Sequence, residues 1–190
     1  GRLPVRGLGA APNSWVVETA IDALARKKSI DPLAMRLQSI KPEHSRLSAV
    51  LSAVAEMAGW TSRPKGSLEE GWGLACGIYK DMSYAAAVAR VTRTEAGYSV
   101  TRLWCAHDCG LVVNPDQVRA QVEGNLVWGI GMALKEELLV DGGRILPESF
   151  FEYPLPVLSD VPEIEIRLIQ GSPSPTGAGE TAIVCATAAV

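Results

Sequence analysis

Residues 71–78 alternate strictly between small and larger side chains: Gly71, Gly73, Ala75 and Gly77 interleave with Trp72, Leu74, Cys76 and Ile78. A period of two is the period of a β-strand, so the segment is predicted to carry one bulky face and one nearly bare face. Glycine inside a strand weakens it and marks a place where another backbone comes close. The chain must therefore fold so that some other element lies hard against the bare face.

Two more strands, about Tyr84 to Thr92 and Tyr98 to Ala106, flank Glu95-Ala96-Gly97 and read as a hairpin. Asp141-Gly142-Gly143 turns a second hairpin, and Ile164, Ile166 and Leu168 alternate as a last strand. Ahead of the glycine-rich strand the period is helical. Asn13 or Ser14 is the expected cap of a helix presenting Val17, Ile21 and Leu24 on one face, and Asp31-Pro32 restarts a helix through Leu33 and Leu37. A third helix carries Leu47, Val50, Leu51, Val54 and Met57, with Ser45 as its expected cap and Gly59 as its stop. Asn114-Pro115 opens a long helix, with Gln117 three residues after the cap. That helix contains Gly124, Gly129 and Gly131, each costing about 1 kcal/mol relative to alanine, which predicts close packing or backbone approach to a ligand. The polar stretch Thr61 to Glu70 marks the internal boundary, giving a helical segment, 1–62, and a mixed segment, 63–190. The expected class is α+β, with an N-terminal helical segment followed by mixed strands and a long glycine-containing helix.

The 190 residues carry a formal net charge of −3, so nucleic acid is not the obvious partner. No apolar run reaches the roughly 18 to 20 residues that span a bilayer, and no signal peptide opens the chain. The abrupt Gly1-Arg2-Leu3-Pro4 start and the apolar finish read as cuts in a longer polypeptide. Cys105, His107 and Cys109 invite a zinc reading, but a second close pair of ligands is missing. Burial as small hydrophobes suits all four cysteines better. The five tryptophans read as core or interface anchors, with no interleaved basic residues to make a base-stacking platform.

Near the end of the chain, Pro173-Ser174-Pro175-Thr176-Gly177-Ala178-Gly179-Glu180 sets one carboxylate between a glycine- and proline-rich loop and the uncharged run Thr181 to Val190. Glu180 is a candidate buried general base, whose pKa desolvation would raise. The competing reading is an acid favoured by a helix N-terminus.

The order of motifs resembles the molybdenum-cofactor-binding large subunit of the xanthine dehydrogenase and aldehyde oxidase family, in particular the branch typified by the isoquinoline 1-oxidoreductase beta subunit. The resemblance is carried by Arg6-Gly7-Leu8-Gly9 with Glu18, Ile21-Asp22-Ala23-Leu24-Ala25, Asp31-Pro32 with Arg36, Asp108-Cys109-Gly110 and Asn114-Pro115. It continues through Gln121-Val122-Glu123-Gly124, Phe150 with Tyr153-Pro154, Pro162-Glu163-Ile164-Glu165-Ile166 and Gly177-Ala178-Gly179-Glu180. It implies the fold of a molybdopterin-binding region and corresponds to the C-terminal part of such a subunit. It implies Glu180 as the base that takes a proton while water-derived oxygen is added to an electron-poor carbon of an aldehyde or N-heterocycle. Arg6 is implied to face the substrate, its competing reading being a salt-bridging surface arginine. Gln121 and Gly179 are implied to bind the cofactor, and the competing reading of Gln121 is a helix-surface glutamine. The implied cofactors are molybdenum-molybdopterin, in its cytosine dinucleotide form, and a [2Fe-2S] centre on a partner iron-sulfur subunit. A flavin or cytochrome subunit is implied as a further acceptor, and an isolated fragment is expected not to turn over. Glu180 runs into Thr181-Ala182-Ile183-Val184 where members usually have a glycine- and proline-rich stretch, a departure that bears on substrate more than on fold. Two other readings stand beside this one: a non-catalytic remnant or assembly domain, and an unrelated metal or redox module around Cys105, His107 and Cys109.

Overall fold

The structure, a computed structural model, describes residues 6–190; the Gly1-Arg2-Leu3-Pro4 opening lies outside them. At its centre is a four-stranded sheet in which β1 (Glu70–Tyr79) pairs antiparallel with β2 (Ser83–Thr94) and β2 pairs antiparallel with β3 (Gly97–Asp108). A parallel strand, written β6 (Glu163–Ile169), lies on the other side of β3. The short β4 (Val140–Asp141) and β5 (Arg144–Ile145) form a separate hairpin around Gly142 and Gly143, both at positive φ. Among the described residues there are five α-helices: α1 (Ala10–Lys28), α2 (Pro32–Ser39), α3 (Ser45–Met57), α4 (Pro115–Leu134) and α5 (Ile183–Ala189).

Strand alternation sorts the two faces of the sheet. Leu74, Cys76, Tyr84, Ala86, Val88, Trp104 and Ala106 pack beneath Val50, Leu51 and Val54 of α3, with the Trp72 and Trp104 rings stacked 5.4 Å apart. Ala75, Ala85, Ala87, Ala89, Leu103 and Cys105 point the other way, towards Val122, Leu126 and Ile130 of α4 and Ala182, Cys185, Ala186 and Ala189 of α5. The bare face predicted for β1 thus continues across β2, and α5 is the element that fills it. A Cβ on Gly73 would lie 2.1 Å from the Ala189 carbonyl oxygen, and one on Gly77 would lie 2.5 Å from Cγ1 of Val184. On the far side of α5, a Cβ on Gly129 would meet that of Ala186 at 2.4 Å. Burying α5 between α1, α4 and the sheet requires glycine on more than one side of it.

Several local expectations are corrected. Asn13 and Ser14 lie inside α1, which starts at Ala10 behind Gly9 with no side-chain cap. The helix buries Ala11, Glu18 and Ala25 and leaves Val17 and Leu24 exposed. Its register follows the contact of Ala11 with Ile183 and Val184, so packing overrides capping propensity. In α2 the buried residues are Met35 and Arg36, while Leu37 is exposed. Ser45 is the first residue of α3 and His44 stands at its cap without a side-chain bond. The other terminus signals hold: Asp31 accepts from the Leu33 and Ala34 N–H groups, Asn114 accepts from the Gln117 N–H, and Gly59 adopts φ +61° just after α3. Trp60 and Trp104 are buried, whereas Trp15 and Trp128 are exposed. Among the described residues, no helix is long and apolar enough to cross a membrane.

Two ion pairs tie the layers together, one buried on both sides and one buried on its acid side. Arg36 donates through Nε to Glu18 Oε2 at 2.8 Å and through Nη1 to Asp22 at 2.7 Å, and the same Glu18 oxygen accepts from the Cys76 N–H of β1 at 2.9 Å. Burial pushes the Glu18 carboxyl up, and Arg36 pulls against it. Asp108, at the end of β3, accepts from Arg46 Nε at 2.9 Å and Nη2 at 2.6 Å, and from the Gly110 N–H at 2.8 Å. Burial alone would raise the Asp108 pKa, but the bonds from Arg46 and Gly110 outweigh it and hold the carboxyl below its usual range.

Candidate active site

The Glu180 loop is suspended between the sheet and α4. Asp108 and Gly110 turn the chain after β3, and the loop returns antiparallel to that turn through the Thr176 N–H, which donates to the Cys109 carbonyl at 2.8 Å. A Cβ on Gly110, at φ +71°, would lie 2.0 Å from the Ser174 carbonyl oxygen, so the motif Asp108-Cys109-Gly110 permits this approach. The Ser83 hydroxyl, at the start of β2, donates to the Gly177 carbonyl at 2.9 Å and lies 2.9 Å from the Thr176 hydroxyl. From α4, Asn125 Nδ2 reaches the Ala178 and Gly179 carbonyls at 3.4 and 3.3 Å while also donating to the Gln121 carbonyl at 2.6 Å.

Onto this loop the fold brings the Arg6 segment, 173 residues away in sequence. Arg6 Nε donates to the Gly179 carbonyl at 2.7 Å, and its Nη2 bonds the side-chain oxygen of Gln121. The next residue, Gly7, sits at φ +83°, and its N–H donates to Glu180 Oε1 at 3.2 Å. A Cβ on Gly7 would lie 2.7 Å from Cγ2 of Ile183, so the Arg6-Gly7 turn is wedged against the start of α5. The second carboxylate oxygen, Oε2, accepts from the Tyr79 hydroxyl at the end of β1.

The structure therefore brings all four sequence-derived candidates together: Arg6, Gln121, Gly179 and Glu180 form one connected cluster. It corrects the expected environment of Glu180. The carboxylate is half-buried, and its pKa is lowered rather than raised. The bond from Tyr79 is the largest cause; desolvation opposes it, and the Gly7 N–H with the charges of Lys80 and Arg6 adds to it. Polar donors decide the outcome because they favour the charged form more than this degree of burial disfavours it. In the same contact the Tyr79 phenol is pushed up to about 12. Arg6 is engaged with the loop and the helix instead of standing as a surface ion pair.

Sequence reasoning missed Tyr79, Asn125 and Ser83. Asn125 stands four residues after Gln121, a spacing that puts both on one helix face and could have flagged it. Tyr79 and Ser83 meet the loop across 101 and 94 residues, and no local signal predicts such pairings. The Cys105, His107 and Cys109 constellation does not assemble. All three are buried, the His107 pKa is lowered to about 4 by burial, and among the described residues no group of three or more His, Cys, Asp or Glu side chains is placed to hold a metal ion.

A sequence profile of the molybdopterin cofactor-binding domain matches residues 16–162. The chain belongs to this family. It is 35% identical to the beta chain of the isoquinoline 1-oxidoreductase of Brevundimonas diminuta, over 95% of this chain and 23% of that protein. It is 32% identical to a subunit of the nicotinate dehydrogenase of Pseudomonas putida, over 98% of this chain and 17% of that protein. The aldehyde oxidoreductase of Desulfovibrio desulfuricans shares the fold, with a TM-score of 0.83 at 14% identity, across 98% of this chain and 38% of that structure. The chain thus spans a quarter or less of the length of these two curated relatives.

The residues present fit such a cofactor. The exposed Gly177 and Gly179 have no atom within 4 Å of where a Cβ would stand, so a flat heterocycle can approach the loop backbone. Gln121 offers an amide with donors and an acceptor beside them. An open groove of about 730 Å³ runs along the neighbouring face of α4, past Glu123, Gly124 and Trp128.

Proposed function

We propose that this chain supplies part of the active site of a molybdenum-dependent oxidoreductase that oxidises an aldehyde or an N-heterocycle, with Glu180 as its general base. The observation that carries the reading is the convergence of Arg6, Gln121, Gly179 and Glu180 from segments up to 173 residues apart. A buried ion pair needs no such arrangement of exposed glycines around a half-open carboxylate.

The Gln121 amide and the Gly179 backbone would hold the pterin, with Arg6 fixing both through its two bonds. A guanidinium has five N–H donors, so a substrate carbonyl or ring nitrogen could use others. When bound, molybdenum supplies the redox chemistry by which water-derived oxygen reaches the substrate carbon. The hydrogen bonds to Glu180 favour its ionised form, which is the form able to take up a proton at Oε1 or Oε2. Proton acceptance by a positioned carboxylate contributes about 10² to 10⁴ in rate. Electrons would leave to a [2Fe-2S] partner and from there to a flavin or cytochrome subunit, and the cofactor would be the cytosine dinucleotide form. The 190 residues alone are expected to show no turnover, because the relatives devote more than three quarters of their length to other segments.

The test is metal analysis of the full-length polypeptide together with Glu180→Gln, assayed with aldehydes and N-heterocycles and an artificial electron acceptor. Molybdenum in both proteins, with a loss of kcat of about 10² to 10⁴ in the variant, is the expected result. Full activity in a molybdenum-loaded Glu180→Gln variant would refute the assignment of the base. Absence of molybdenum from a folded parent would instead favour an assembly domain that has lost catalysis.

A further inference from the structure

We propose that Tyr79 is the positioning residue of Glu180, fixing its carboxylate plane through a hydrogen bond to Oε2. The inference rests on the reading of Glu180 as the base and adds a residue to which neither the family match nor the relatives' names assign any role.

The phenol is held by its element. Tyr79 is the last residue of β1 and is followed by Lys80 and Asp81, at φ +52° and +54°, which close the tight turn into β2. Two consecutive residues at positive φ are the mark of a type I′ turn, whose twist matches that of the flanking strands. Neither residue is glycine, so the turn holds a backbone geometry that side chains disfavour. It is pinned from outside as well. The Met82 carbonyl accepts from Arg46 Nη1 at 3.0 Å, and Arg46 is itself locked on Asp108. Ser83, one residue on, bonds the Gly177 carbonyl of the Glu180 loop. Turn and loop are therefore one unit, and the Tyr79 hydroxyl is presented to Glu180 from a rigid strand end.

The two carboxylate oxygens have separate donors on different segments: the Gly7 N–H on Oε1 and the Tyr79 hydroxyl on Oε2. Two donors from opposite sides fix the carboxylate plane, and each oxygen keeps a second lone pair for an incoming proton. The charged groups facing this pair are Arg6 and Lys80, both cationic and both favouring ionised Glu180; the Lys80 ammonium also lies 5.2 Å from the centre of the Tyr79 ring. A neutral phenol supplies a directed bond that these more distant charges do not.

Two measurements test the assignment on the full-length, molybdenum-loaded protein. In Tyr79→Phe, removal of a donor to the charged carboxylate should move the acid limb of the kcat/KM profile to higher pH. On that limb kcat/KM should fall about tenfold, as expected for a bond to a charged acceptor, and the deficit should shrink as pH rises. The second readout needs no turnover. With 3-fluorotyrosine placed at position 79, the ¹⁹F signal should show the phenol ionising at lower pH in Glu180→Gln than in the parent, because the carboxylate no longer holds its proton. The same ionisation pH in both backgrounds, or an unmoved acid limb in a Tyr79→Phe protein that retains molybdenum, would overturn the proposal. An inactive Glu180→Gln with an unmoved Tyr79→Phe limb removes Tyr79 and leaves the base; an active Glu180→Gln removes the base, while the fluorine titration still decides the pairing.

Discussion

Replacing Gly129 by alanine puts two sizeable effects in opposition. In the interior of α4 an alanine gains about 1 kcal/mol of helix propensity over glycine, so an isolated helix would be strengthened. Here the new methyl would sit 2.4 Å from Cβ of Ala186 and 3.2 Å from the Thr187 amide nitrogen of α5. Carbon atoms pack at about 3.5 to 4.0 Å, so the pair must separate by about 1 Å. Neither alanine has a rotamer to change, and α5 has no free direction, being packed against α1, α4, β1 and β2. Overpacking costs about 1 to 3 kcal/mol, and an immovable contact belongs at the upper end. The net expectation is a loss of about 1 to 2 kcal/mol. Gly124→Ala on the same helix is the control. Its methyl would meet only the flexible end of Arg6, at 3.3 Å, so it should be neutral or gain up to about 1 kcal/mol. Urea unfolding followed by the fluorescence of buried Trp60 and Trp104 should separate the two midpoints at similar m values. If Gly129→Ala proved as stable as Gly124→Ala, the argument that α5 is seated by missing Cβ atoms would fail.

Two further outcomes follow from the two ion pairs. Asp108 is held below its unfolded pKa, so its contribution is complete above about pH 4 and is lost as pH falls through the folded value. Asp108→Asn should flatten that part of the stability–pH curve and cost about 1.5 to 3 kcal/mol at neutral pH, since Arg46 keeps part of its contact with solvent, measured by urea unfolding across pH. Arg36→Met leaves Glu18 buried against Cys76 without its cation and should cost more, about 3 to 5 kcal/mol. Adding Glu18→Gln should recover part of that loss, and a double-mutant cycle measures the coupling.

The glycines were the most readable part of the fold. Gly73 and Gly77 announced a bare strand face, and the glycines of α4 announced close packing or approach of a ligand, of which Gly129 and Gly131 show the packing, because a side chain missing where its absence costs stability leaves room for a neighbour. What filled the face was not legible. The α5 run Ile183 to Ala189 is short, uncharged and without a strong cap, and its seat is set by contacts with residues more than 50 positions away. The helix starts show the same division. Asp31 and Asn114 cap where expected, since each bonds an N–H two or three residues on. Asn13, Ser14 and Ser45 do not, since the registers of α1 and α3 answer to the core.

The candidate site divides along the same line. The sequence by itself determined the chemical inventory: a carboxylate after a glycine-rich loop, an arginine beside a glycine turn, and an amide on a capped helix. It also determined where the backbone could come close, because glycine acts through local sterics. Only the tertiary structure decided that these groups meet, that Asn125 and Ser83 hold the loop, and that Tyr79 reaches Glu180. For that reason it also decided the direction in which the carboxyl's pKa moves. Desolvation can be guessed from apolar neighbours in sequence, but hydrogen-bond donors contributed by residues 101 and 173 positions away depend on the path of the whole chain.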